Sequence, residues 1–180
     1  MHLNFSISFS DIHSFIEHWS SKYSYPDEKY VDNIGKNLTK ERLKALFEWK
    51  NGTRDEIAAP KLNSILNNYP PNFSGDEKLR YLSADEPGGP IWNIFFLHCC
   101  DHEKWPIFDQ HTFRAMHYME TGEIKEIPNS NSRAAKRFVY ASYQRYMRFV
   151  STMRGHDTRK VDRALFAFGK FLKTAGKYAP

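Results

Sequence analysis

Cysteine is almost absent from this chain of 180 residues. The only two cysteines, Cys99 and Cys100, are adjacent. A disulfide between neighbouring residues would be strained, so we expect two reduced thiols and a reducing compartment. The composition therefore excludes a fold held together by disulfides.

Long hydrophobic runs are also lacking. The longest mainly apolar stretch, 91–100, is interrupted by Asn93 and His98 and is far shorter than the roughly 20 residues that a membrane-crossing helix needs. Residues 1–5 carry neither the basic segment nor the apolar segment of a secretory signal. We therefore expect a cytoplasmic protein with no membrane span.

Alternating strand-like patterns are scarce, and only 6–9 and 123–127 could form short strands. Apolar residues instead recur at helical spacing, which predicts an all-α protein of about eight helices. In the last two helices the predicted inward residues are Phe138, Tyr143, Tyr146, Phe149, Val161, Leu165, Phe168 and Leu172. The predicted helices lie at about 12–19, 39–51, 60–69, 75–83, 91–100, 110–119, 132–153 and 157–174.

The chain length favours one helical domain over 1–180. Within it, residues 1–130 hold 14 Lys and Arg against 19 Asp and Glu, whereas residues 131–173 hold 11 against 2. The helical pair at 131–174 is therefore strongly basic. Such a segment favours a polyanionic partner, nucleic acid first, although it could also be an ordinary solvated surface.

The most specific motif is the segment 105–114, which reads WPIFDQHTFR. It resembles the motif of the helix-hairpin-helix DNA glycosylase superfamily, most nearly the branch that excises 8-oxoguanine. In that motif an apolar stretch with a proline leads to an aspartate, a histidine and often an arginine. As in that family, a glycine-rich hairpin at 87–90, a buried helix at 91–100 and a short loop at 101–105 precede the aspartate. The similarity covers 85–119.

This resemblance implies that Asp109 is the catalytic residue. Cleavage of an N-glycosidic bond passes through a sugar with cationic character, and a fixed carboxylate nearby stabilises that charge. A helix N-terminus keeps such a carboxylate ionised. The simpler interpretation is that Asp109 only caps the helix that follows.

The other predicted site residues would bind DNA. Gly88 and Gly89 would let backbone N–H groups approach a phosphate, and His111 and Arg114 would hold the phosphates that flank an extruded nucleotide. An extruded base needs aromatic neighbours; the candidates are Trp49, Trp92, Trp105 and Phe113. Each residue also has a structural interpretation, as turn glycines, solvated helix residues or core aromatics.

Two departures from the family narrow the expected activity. Bifunctional members have a lysine just after the hairpin glycines, where this chain has Pro90, Ile91 and Trp92. We therefore expect a monofunctional enzyme that uses water, unless Lys50, Lys78 or Lys104 serves instead. Two cysteines cannot hold the four-cysteine iron–sulfur cluster of some relatives, and we expect no cofactor. The substrate would be double-stranded DNA with a damaged base or with a modified base of phage origin.

Three alternatives remain open at this point. The contiguous His98, Cys99, Cys100, Asp101 and His102 could form a metal site, but no second ligand cluster accompanies them, and anchoring of a loop is the simpler role of the two histidines. A nucleic-acid-binding protein without enzymatic activity would use the same basic helices. A protein-interaction scaffold would not bind DNA at all. Oligomeric state is not encoded in any of these patterns.

Overall fold

The computed structural model describes residues 8–52, 66–70 and 75–175. Within them the regular structure is helical, with one isolated bridge between Arg154 and His156 and no strand. The helices are α1 (Ile12–Ser20), α2 (Glu28–Val31), α3 (Lys40–Asn51), the 3-10 helix η1 (Gly75–Leu82), α4 (Pro90–Cys100), α5 (Gln110–Thr121), α6 (Arg133–Ser151) and α7 (Thr158–Ala175). None of these is both long and apolar enough to cross a membrane.

The described residues group into two compact units. Unit 1 contains 8–24, 106–129 and 141–175, and unit 2 contains 25–52, 66–70, 75–105 and 130–140. Helix α6 contributes its first turns to unit 2 and the rest to unit 1. The predicted basic pair of helices thus corresponds to α6 and α7, and the hairpin and Asp109 belong to different units.

Unit 1 is built around α7, which packs against α1 and α5. Val161, Leu165, Phe168 and Leu172 are buried at a spacing of three or four residues, the apolar stripe of a surface helix. On α1, the side chain of Asp11 accepts a hydrogen bond from the Ser14 N–H at 2.7 Å and begins the helix. The core of unit 1 therefore forms where the apolar face of α7 packs against α1 and α5.

Unit 2 is organised around α4, in which every residue from Asn93 to Cys99 is buried. Helix α4 packs against η1, and α2 packs against α3. Helix α3 begins after its N-cap Thr39. It ends at Gly52, whose φ of +97° is incompatible with a continuing α-helix. A helix buried on all sides needs neighbours on every face, which explains the dense aromatic contacts around it.

The all-α prediction is confirmed for the described residues, and most helix boundaries fall within two residues of those expected. The predicted helix at 60–69 lies outside the described residues except for its end. The short helix α2 was missed, and residues 123–127 do not form a strand. Of the predicted inward residues of α6, Tyr143 and Tyr146 are buried, whereas Phe138 and Phe149 are half-buried.

Candidate functional site

The N-terminus of α5 is organised by Asp109. Its Oδ1 accepts hydrogen bonds from the backbone N–H groups of His111 (2.8 Å) and Thr112 (3.0 Å). In return, the Asp109 N–H donates to Thr112 Oγ1 at 2.9 Å, which completes a capping box. Asp109 is half-buried. The predicted cap is confirmed, and its carboxylate is held in one orientation by backbone groups.

A buried arginine lies one turn into the same helix. The Arg114 side chain is fully buried, and its guanidinium makes a bidentate ion pair with Glu126 through Nε–Oε1 (2.8 Å) and Nη2–Oε2 (2.7 Å). Its Nη1 donates to the Gly169 carbonyl of α7 at 2.6 Å. A DNA phosphate could therefore contact Arg114 only after displacing Glu126, so the predicted phosphate contact requires a rearrangement.

His111 is a neutral acceptor toward this arginine. A guanidinium can only donate, so the 3.1 Å contact from Arg114 Nη1 leaves Nδ1 of His111 unprotonated. Burial lowers the pKa of His111, while the Asp109 charge opposes that shift. The ring centroid of Phe166 lies 4.8 Å from that of His111. His111 is half-buried, so a phosphate contact there remains a prediction.

Aromatic side chains from α6 pack beside Asp109. The ring of Phe108 lies 5.4 Å from that of Tyr143 and 5.2 Å from that of Tyr146. Burial raises the pKa of Tyr146 well above its usual value, and the charges of Asp162 and Asp109 raise it further. The Asp109 charge therefore acts on a buried phenol of the aromatic cluster that packs on Phe108.

The glycine hairpin of unit 2 joins η1 to α4. Gly88 has a φ of +87°, and Gly89 is the N-cap of α4 with Pro90 in its first turn. Beneath the hairpin the buried Asn93 accepts from Tyr69 Oη and donates to Tyr140 Oη (3.0 Å) and to the Pro87 carbonyl (3.3 Å). This network fixes the hairpin in place. Burial raises the pKa of Tyr140 to about 12, so the network stays neutral near pH 7.

Two basic residues of α6 contact the hairpin. Arg133 pairs with Asp85 at 2.9 Å, and Lys136 Nζ donates to the Glu86 carbonyl at 2.7 Å. The Asp85 carboxylate is thus paired with a cation of the same unit, and Lys136 holds the hairpin backbone at Glu86. An exposed pair such as Arg133–Asp85 contributes little stability.

The four candidate base-stacking rings are placed differently from one another. Trp49, Trp105 and Phe113 are buried, and Trp49 Nε1 donates to the Pro26 carbonyl at 2.8 Å. Stacking a base on these rings would first require displacing their present neighbours. Trp92 is only half-buried, stacks on Phe47 with centroids 5.3 Å apart, and lies next to Gly89. It is the most accessible of the four.

The histidine and cysteine segment is largely structural. His98 Nδ1 donates to the Trp105 carbonyl at 2.6 Å, which leaves Nε2 to accept from Tyr30 Oη at 2.8 Å. His98 thus anchors the loop that leads to Asp109. Among the described residues, no group of three or more His, Cys, Asp or Glu could hold a metal ion.

Two of the three lysines considered as alternative nucleophiles are located by their contacts with aromatic rings. Lys50 Nζ lies 5.7 Å from the ring centroid of Phe95, and Lys104 Nζ lies 5.0 Å from that of Trp105. Both belong to unit 2, whereas Asp109 belongs to unit 1. The side chain of Lys78 lies outside the described residues. A lysine nucleophile therefore stays a prediction without structural support.

Sequence reasoning assigned no role to Glu126, Gly169 or Asn93. Gly169 has no room for a side chain, since a Cβ there would lie 1.9 Å from the carbonyl oxygen of His111. A glycine within an otherwise apolar helix stripe is a weak signal of such close packing. An asparagine within the apolar stretch 91–100 could likewise have been noticed as a buried polar group that needs partners. Nothing in the pattern around Glu126 indicates its partner.

Comparison of the chain with protein-family models, curated proteins and solved structures finds no match.

Proposed function

We propose that this protein is a monofunctional DNA glycosylase of the helix-hairpin-helix type, which excises a damaged or modified base from double-stranded DNA. The proposal rests on the residues themselves and on the motif resemblance. The observation that carries it is the Asp109 carboxylate, which two backbone amides hold at the N-terminus of α5, next to the aromatic cluster around Phe108.

The chemistry fits a fixed anion. When the bond between C1′ and the base breaks, the electron pair leaves with the base and the sugar becomes cationic. A preorganised carboxylate stabilises that cation without reorganising during the reaction. Water then adds to C1′ and its proton is finally carried by the released base, so the products are a free base and an abasic site. Asp109 is the proposed catalytic residue.

The other roles follow from the local geometry. Gly88 and Gly89 carry no side chain of their own near the start of α4, so a phosphate could approach their backbone N–H groups beside Trp92 and Asn131. His111 and Arg114 brace the N-terminus of α5, and we assign them phosphate contacts once Glu126 moves. Trp92 is the half-buried aromatic ring beside the hairpin.

The test is base release by the wild type and the Asp109→Asn variant. Both are incubated with duplexes carrying a panel of damaged bases, 8-oxoguanine included, and with phage DNAs that carry modified bases. Free bases are detected by mass spectrometry and abasic sites by alkaline cleavage. We expect the variant to lose roughly a hundredfold or more of the single-turnover rate because charge stabilisation is lost, while its DNA affinity stays equal or rises.

A matched control is Asp11→Asn, since Asp11 is the cap of α1 in the same unit and accepts a backbone N–H in the same way. Asparagine also caps helices well, so neither variant should unfold. The control should release bases like the wild type. Equal base release by Asp109→Asn and the wild type would show that Asp109 is only a cap.

The second candidate function is nucleic-acid binding without catalysis. It is favoured by exposed cations on or next to α6 and α7; these are Arg137, Arg148, Arg154, Lys170 and Lys173. It predicts DNA affinity that falls steeply with salt, in the wild type and Asp109→Asn alike, and no base release from any substrate. That outcome would replace the glycosylase proposal.

A further inference from the structure

An aromatic groove runs along α7 in unit 1, and none of its lining residues is among the site residues predicted from the motif. It has a volume of about 470 Å³, a size typical of small-ligand sites. Four of its lining side chains are aromatic: Trp19, Tyr23, Phe166 and Phe171. Tyr23, Phe166 and Phe171 are half-buried, so part of each ring borders open space.

The polar lining of the groove carries one sign of charge. Lys22 and Lys170 are exposed at its border, together with His18, and none of the described residues that line it is acidic. The guanidinium carbons of Arg159 and Arg163 lie 5.4 and 5.5 Å from the ring centroid of Tyr23, and Arg159 is paired with Asp162. An occupant that complements the groove therefore combines an anionic group with an apolar, planar one.

One wall also holds an unused hydrogen-bond donor. Trp19 is 8% exposed, its ring lies 5.1 Å from that of Phe171, and its indole Nε1 has no acceptor among the described residues. Buried donors without acceptors are rare in folded proteins. A nucleobase carbonyl or ring nitrogen could accept from this N–H only after the wall opens, because the N–H is closed off from solvent.

We propose that this groove binds a nucleotide of single-stranded DNA, with the base stacked on its aromatic wall and the phosphate held by Lys22 and Lys170. Stacking on aromatic side chains together with a cationic border is the usual basis of single-strand binding. Phe166 connects the groove to the catalytic proposal, because its ring centroid lies 5.6 Å from that of Tyr23 and 4.8 Å from that of His111. The groove goes beyond the proposed function and does not depend on base excision.

The test is binding of fluorescein-labelled short oligo-dT by anisotropy, compared with an oligomer of equal length and charge in which the central bases are replaced by abasic residues. We expect the abasic oligomer to bind at least about fivefold more weakly, the effect of losing one stacked base. Lys22→Glu and Lys170→Glu should each weaken oligo-dT binding by about fivefold or more, and Phe171→Leu should reduce the preference for the oligomer that has bases.

The control for charge is Lys40→Glu, an exposed lysine at the start of α3 where a glutamate suits the helix dipole. It changes net charge equally and should leave oligo-dT binding unaltered. The exposed lysines can be replaced without disturbing the core, and thermal unfolding of Phe171→Leu checks that it is folded.

Each contrary result overturns the groove proposal. Equal affinity for the two oligomers would mean that the surface binds charge alone, and equally strong competition by polyglutamate would point to an acidic peptide instead. A failure of base excision would not affect the groove proposal. Asp109→Asn should bind oligo-dT like the wild type, whether or not either protein releases a base.

Discussion

Helices α5 and α4 begin in opposite ways. The first turn of α5 is closed by the Asp109 carboxylate, which takes two of its free amides, and by the return bond to Thr112. The first turn of α4 begins at Gly89, which has no side chain, and at Pro90, which has no N–H. The N-terminus of α5 therefore carries its own carboxylate, whereas the cap of α4 has no charged side chain.

This difference separates two kinds of ligand. A helix N-terminus attracts anions, but at α5 that position is already occupied by a carboxylate, so the nearby space suits a developing cation. At α4 the cap is a glycine, so a phosphate that approaches its backbone between Trp92 and Asn131 meets no carboxylate of the cap itself. The contrast is the physical basis for assigning the chemistry to Asp109 and the backbone contact to Gly88 and Gly89.

The largest loss of stability is expected from Gly169→Ala, where α7 packs against the start of α5. The new Cβ would lie 1.9 Å from the His111 carbonyl oxygen, so α7 and the start of α5 must separate. We expect the free energy of unfolding to fall by about 3 kcal/mol, the upper range for overpacking. Urea denaturation measures it, with Thr174→Ala, on an exposed part of the same helix, as the control. A loss as small as that of Thr174→Ala would contradict the packing.

A smaller effect is expected at the other helix, from Gly88→Ala. Its φ of +87° strains any side chain, and the new Cβ would lie 3.0 Å from Tyr69 Oη and 3.1 Å from Asn93 Oδ1. We expect a loss of about 2 kcal/mol. Gly122→Ala is the matched control, because it has a φ of +74° but no atom within 4 Å of the new Cβ. Equal losses in the two variants would mean that the Asn93 network does not restrict the hairpin.

The smallest effect, and the one that sharpens the contrast, is the pH dependence of stability. Burial lowers the pKa of His111 and of His117, both on α5. The unfolded chain then binds more protons than the folded one below the usual histidine pKa of about 6.5, so stability falls as the pH drops through that value. Urea denaturation between about pH 8 and 5 should show this slope, and the double variant His111→Gln, His117→Gln should flatten it. If the double variant kept the same slope of stability against pH, the slope would not arise from the two histidines of α5.

Sequence reasoning succeeded where a property is local. The cap at Asp109, the stop at Gly52 and the apolar helix at 91–100 depend on residues within one or two turns, and the structure has all three. It failed where partners are distant in the chain. Arg114 looks like a surface cation in the sequence, yet Glu126 and the Gly169 carbonyl bind it in the interior.

The sequence by itself determined the helical class, the main helix boundaries and the position of Asp109 at a helix start, because capping and amphipathic periodicity are short-range effects. Only the tertiary structure decided which candidate side chains are accessible. It buried Trp49, Trp105 and Phe113, left Trp92 half-exposed, and brought Trp19 and Phe171 together in a groove. Burial depends on which helix faces meet, and that choice is made by the packing of segments far apart in the chain.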